Sequence, residues 1–402
     1  MHTHALLLSI LLSALATPSR AQDRVRLKNG QELEGRVLLE TPTKVVLRMG
    51  TKERELDPAT LSEVQSIART QGELVRRWSG LAPDDAARRM ELAQEARAEG
   101  LPGEAEVLAW SVLATDSGHA SAHLFLGHER RQATWMVREG PKWIRYDEFL
   151  LLRGDFSDAW RFSTLHYELR TNLELSLACV SLLEAELHYQ AFLDWFRPEL
   201  ELYEVVERMQ LELHAQQKNY PGGSGRAGFY DPDSNTVFAN MSAGYAIDAL
   251  VHEGTHALLH STTERTKKSI GSLPAWVDES IADWMRFGRS GELGRPKYRK
   301  PGPGGYYFSM HASARDPLSF ARVLALTAHD FNIGNVGLAY AQSYTLLQFC
   351  LHGAGGASSA KFYDYLRSCW AGKSSATDFK TAFGVKTNEF EPAWHAFARS
   401  VK

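Results

Sequence analysis

Residues 246–260 read AIDALVHEGTHALLH, and no other segment constrains the fold as tightly. Leu250, Val251, Leu258 and Leu259 supply the apolar flanks of a buried helix. On a helix, residues four apart lie about one turn apart on one face. His252 and His256 then project to the same side, with Glu253 beside them. Two imidazoles so placed can bind one Zn2+, and the neighbouring glutamate can reach a water held there and act as its base.

A catalytic zinc site takes three protein ligands and keeps a fourth position open. The third must come from elsewhere, and residues 273–286, LPAWVDESIADWMR, offer it. Pro274 suits the first turn of a helix. Glu279 can point at the metal, and Asp283, one turn on, can accept the free ring N–H of a ligand histidine, with His252 the expected partner. Asp278 is the rival ligand. On a helix it faces about 100° away from Glu279 and has no carboxylate four residues on.

His252-Glu253-x-x-His256 followed by Trp276-Val277-Asp278-Glu279-Ser280-Ile281-Ala282-Asp283 resembles the gluzincin metallopeptidases. It is most similar to the peptidase-MA-like group, which includes exported bacterial proteins of unassigned function. That group carries its third ligand in a W-x-x-E-G-x-A-[DE] helix, and Ser280 stands here where Gly is usual. The resemblance spans about residues 155–400. It implies an α+β zincin-type domain with an edge strand above the motif helix. Ala227–Tyr230 and Thr236–Ala239, joined by the turn Asp231–Asn235, read as a hairpin that can supply that edge, and a substrate backbone would pair with it. Attack on a peptide carbonyl creates an oxyanion that needs a donor besides the zinc. In related gluzincins a Tyr at the start of a later helix contributes it. In Ala339–Phe349, AYAQSYTLLQF, Tyr340 fits that place best and Tyr344 lies one turn on. His311 and His329 are further candidates, whereas His260 is read as structural.

The chain has 402 residues, room for two to three domains at ~150 residues each. Residues 1–21 read as a signal peptide. An apolar run of about 12 residues, too short to span a bilayer, leads to Ser19 and Ala21 at the cleavage-site positions. The expected product is exported, periplasmic or extracellular, with no integral membrane segment. Residues 22–68 alternate with period two around turns such as Asn29-Gly30 and resemble a small SH3-like β-barrel or roll. Residues 69–150 read as a TPR-like helical segment followed by a hairpin over Trp135–Tyr146. Within it His119, His123 and His128 are read as structural. From 155 onward the pattern is mixed: a strand over Phe162–Leu169, a helix over Leu173–Phe196, and strand or helix over Tyr203–Leu213.

A formal net charge of −3 lacks the basic excess of a nucleic-acid binder. Cys179, Cys350 and Cys369 are too few for a disulfide framework and read as buried small apolar groups. Arg265, Lys267 and Lys268, and likewise Arg295, Lys297, Arg299 and Lys300, read as solvated loops. The expected function is a secreted zinc metallopeptidase acting on peptide or protein substrates. Its ligands are His252, His256 and Glu279, its base Glu253, its oxyanion donor Tyr340, and Asp283 orients a ligand. No acidic motif for a peptide amino terminus lies nearby, which favours an endopeptidase. A binding or scaffolding protein on the same fold is the alternative, and hydrolysis of a non-peptide amide a third reading. The sequence does not set the oligomeric state.

Overall fold

Chain order runs from strands to helices to a mixed unit. The structure is a computed structural model that describes residues 23–242, 246–262, 273–353 and 358–401. The expected signal peptide and the cluster Arg265, Lys267, Lys268 lie outside the described residues.

Five antiparallel strands come first: β1 (Asp23–Leu27), β2 (Glu32–Glu40), β3 (Val45–Met49), β4 (Lys52–Leu56) and β5 (Leu61–Gln65). Their alternation buries Val25, Val37, Val45, Leu47 and Leu56 on one side. The order is β4-β3-β2-β1-β5, and β4 and β5 remain unpaired edges, so the sheet is open rather than a closed barrel.

Helices α1 (Ile67–Gly80), α2 (Ala86–Ala98), α3 (Pro102–Thr115) and α4 (Ala120–Phe125) follow. Asp85 caps α2 by accepting the Arg88 amide, and Gly100, with φ 79°, turns the chain into α3. Helix α4 stops at Phe125, and Gly127 follows with a left-handed φ of 75°. His119 caps α4 through the Ala122 amide, and buried His123 and His128 bond each other at 2.7 Å. The hairpin appears as β7 (Thr134–Glu139) and β8 (Lys142–Arg145), with β6 (Glu129–Arg131) added before them and α5 (Tyr146–Leu152) after.

The second large sheet has the order β12-β13-β11-β10-β9. Its members are β9 (Trp160–Ser163), β10 (Tyr167–Thr171), β11 (Met209–His214), β12 (Gly228–Asp231) and β13 (Thr236–Asn240), with the 26-residue α6 (Leu175–Leu200) between β10 and β11. The single strand expected over 162–169 is instead an antiparallel pair broken at 164–166. Buried carboxylates far away in sequence hold the break: Glu104 accepts the Leu165 amide and Glu186 the His166 amide. Over 203–213 the outcome divides. Met209–His214 is strand, while 201–207 is a strap without regular structure. The front sheet grips this strap: Arg36 donates to the carbonyls of Val205 and Val206, the Glu204 amide donates to the Leu38 carbonyl, and Lys44 pairs with Glu201.

The break and the strap meet in one buried polar cluster. His166 contacts Glu186 at 2.7 Å and Glu204 at 3.5 Å; Tyr189 and Arg197 also bond Glu204. Burial pulls the His166 imidazole down, but Glu186 and Glu204 outweigh it and raise it to about 9. Burial, reinforced by the charge of Glu186, pushes Glu104 up to about 7. Burial also opposes ionisation of Glu204, yet Arg197 and His166 hold it well below the usual carboxylate range. Raised groups stabilise the fold below their unfolded-chain values and lose that contribution as pH climbs through the folded ones. Glu104 therefore weakens the fold from about 4.5 to 7 and His166 from about 6.5 to 9, whereas Glu204 weakens it only on acidification below about 4.5. We expect a maximum in melting temperature near pH 5 and a fall of several degrees by pH 9, read by calorimetry on the metal-free protein. Glu104→Gln should flatten the lower half of that fall, and an unaltered profile in this variant would show that Glu104 does not drive it.

The remainder comprises α7 (Ile247–Ser261), α8 (Ala275–Gly288), β14 (Arg289–Glu292), β15 (Arg295–Tyr298), α9 (Tyr306–Ser313), α10 (Phe320–Leu324), α11 (Val336–His352), α12 (Ser359–Trp370), α13 (Ala376–Phe383) and α14 (Thr387–Ser400). Trp276, Phe320, Phe379 and Trp394 are buried at the heart of these helices. Arg295 and Lys297 belong to the β14–β15 hairpin rather than to a loop, and Lys300 donates to the Trp195 carbonyl. All three cysteines are buried and unpaired. Among the described residues no helix is long and apolar enough to cross a membrane.

Candidate metal centre

Helix α7 forms where the apolar flanks require it. Leu250, Val251, Ala257, Leu258 and Leu259 are buried, while His252, Glu253 and His256 open onto a cleft of about 1480 Å3. Packed behind is α6, whose His188 bonds Thr255 at 3.1 Å and would lie only 3.3 Å from a side chain at Gly254. Helix α8 packs against α7 and brings Glu279 to the two imidazoles. Ligand atoms of His252, His256 and Glu279 all lie within 4.8 Å of one another. The His252 Nε2 is 3.2 Å from Glu279 Oε2 and 3.3 Å from His256 Nε2. Two nitrogens and a carboxylate oxygen converging this way are a donor set that fits a divalent cation.

Both imidazoles are backed by carboxylates. His252 Nδ1 donates to Asp283 at 2.9 Å, as expected, and Asp283 also takes an ion pair from Arg286 at 2.9 Å. The other partner was not foreseen as one: Asp278 sits 3.1 Å from His256 Nδ1. Its signal lay in the pair Asp278-Glu279, read only as a competition for the metal. Burial lowers each imidazole, but Asp283 and Glu279 raise His252 to about 9, and Asp278 with Glu279 and Glu253 raises His256 to about 10. A site this negative favours a cation, whether proton or metal, and metal binding must release the protons. Ser280 is absorbed without disturbance: it is buried and its hydroxyl donates to the Val277 carbonyl.

Tyr340, in the second turn of α11, lines the cleft, and its ring lies 6.3 Å from that of His252. Burial first, then the charges of Glu279 and Asp283 and a hydrogen bond to Glu279, push its phenol up, so the hydroxyl keeps its proton. Tyr307 of α9 stacks on it and bonds Arg286, a contact that local sequence did not reveal. Tyr344 is buried against Phe287 and Tyr307 and does not line the cleft. Nor do His311, which is bonded to Thr345 and His395, or His329. His260 bonds the Tyr230 hydroxyl, tying the end of α7 to the hairpin.

Strand β12 is the edge of its sheet and runs beside α7. Gly228 permits this approach, since a Cβ there would fall 2.9 Å from Glu253 Cγ. Arg48 of the front sheet and the strap residues Tyr203 to Glu207 also line the cleft. The cleft thus has one wall from a module remote in sequence from the motif helix. Compared with known protein families and with curated proteins, the chain matches none.

Proposed function

We propose that the protein is a secreted zinc metallopeptidase with a gluzincin-type, zincin-like domain over residues 155–402. In this reading the front sheet is an SH3-like module and the helices after it a TPR-like one. The observation that carries it is the convergence of His252, His256 and Glu279 beside a cleft that Glu253 and Tyr340 also line. When bound, zinc supplies a Lewis acid that polarises the peptide carbonyl and acidifies the attacking water. His252, His256 and Glu279 hold it, and Asp283 and Asp278 fix the imidazole orientations. Glu253 takes the proton from the water and returns it to the leaving amine. Tyr340 donates its hydroxyl to the developing oxyanion. The free edge of β12 pairs with the substrate backbone, giving affinity with little dependence on side chains.

The test is metal analysis of the mature protein and a mixed-peptide digest read by mass spectrometry. One zinc per chain with internal cleavage products supports the proposal. Stoichiometric zinc with no cleaved peptide favours a binding protein built on the same fold.

A further inference from the structure

Three arginines line the cleft, and two already have carboxylates. Arg48 is paired with Glu53 at 2.6 Å and Arg286 with Asp283 at 2.9 Å. The third, Arg226, has no carboxylate partner among the described residues, although it lies at the head of the edge strand. Its direction is nevertheless set: Nε donates to the Gly228 carbonyl at 3.1 Å, and the guanidinium carbon sits 4.9 Å from the Phe229 ring centre. The Asn240 amide still bonds the Ala227 carbonyl at 2.8 Å, so strand pairing reaches Arg226's immediate neighbour. Gly228 is the residue that abuts Glu253. Arg226 lies two residues before it, just ahead of β12, and lines the same cleft as Glu253. Tyr220, beside them, feels both: burial raises it, Arg226 lowers it and Glu253 raises it further.

An exposed guanidinium anchored through Nε and an aromatic face keeps both terminal nitrogens for a ligand, and that fork matches a carboxylate. We propose that Arg226 is a specificity-determining residue that binds a carboxylate of the peptide lying along β12, within a residue or two of the bond at Glu253. This deepens the peptidase reading and rests on it for the word substrate. The carboxylate belongs either to an acidic side chain or to the peptide's own C-terminus.

The probes are N-acetylated alanine-rich peptides in which one Glu, or one Gln, is moved along the chain, each with a free or an amidated C-terminus. In the zinc-loaded wild type, kcat/KM for Glu at one position should exceed that for Gln about tenfold or more, mainly through KM. Arg226→Gln should bring the two within about twofold and leave the neutral amidated peptides nearly unchanged; Arg226→Lys should fall between. If the preference follows the free C-terminus and not the moved Glu, the terminal carboxylate is the ligand. A Glu preference that survives in Arg226→Gln overturns the inference, as does equal loss on all peptides. Should the wild type cleave none, the peptidase reading fails by itself, and binding of the same peptides to zinc-loaded Glu253→Gln decides. A carboxylate preference lost on adding Arg226→Gln upholds the inference, and equal binding of Glu and Gln peptides overturns it.

Discussion

Glu253→Gln in the zinc-loaded protein is expected to retain its metal and lose peptide hydrolysis by roughly a thousandfold, the middle of the range for removal of a general base. The carboxamide has nearly the shape of the carboxylate, so it fits the same space against Gly228. His252, His256 and Glu279 do not depend on Glu253 for their placement, which comes from the α7–α8 contact and from Asp283 and Asp278. What is lost is the ability to take a proton from the attacking water. Metal content by elemental analysis, initial rates and melting temperature separate the possibilities. Retained metal and fold with turnover at the wild-type level would remove Glu253 from the chemistry.

Gly228→Val should be nearly as severe for a steric reason. A Cβ at this position meets Glu253 Cγ at 2.9 Å, the Phe238 carbonyl oxygen at 3.0 Å and Ala249 Cβ at 3.4 Å. The carbonyl belongs to the paired strand β13, and Glu253 Cγ is too near its backbone to swing far, so neither neighbour yields cheaply. Either β12 moves away from α7 or the base is displaced, and small misplacements of a reacting group cost about a hundredfold in rate. Overpacking of this kind also costs about 1–3 kcal/mol of stability. None of the proposed metal ligands is among the neighbours that a Cβ at Gly228 would meet, so zinc content should hold while kcat/KM falls by about a hundredfold. Wild-type kinetics in this variant would mean that Glu253 is not held where the structure places it.

The legible part of the site was the part governed by helix periodicity. Spacing alone placed His252 and His256 together, and i+4 spacing put Asp283 behind a histidine while Glu279 faced inward. Periodicity also misled about Asp278. A 100° offset from Glu279 removes it from the metal, yet the crossing of α8 over α7 turns that same offset toward the second imidazole. Crossing angles are tertiary and leave no mark on a single segment. The strand misread over 162–169 failed similarly, because its alternation is real but two carboxylates from α3 and α6 claim the amides at its centre. Arg226 and the strap over 201–207 carry no local signal at all. Their meaning depends on which strand ends beside α7 and on what the front sheet holds.

That shared wall bears on how such a chain can change. Arg36 and Leu38 fasten the strap that lines the cleft onto which the motif helix opens, so substitutions some two hundred residues upstream of His252 reshape that space. A variant selected for new cleavage preferences could therefore carry all of its mutations in the front sheet, with the motif helix and its partners untouched.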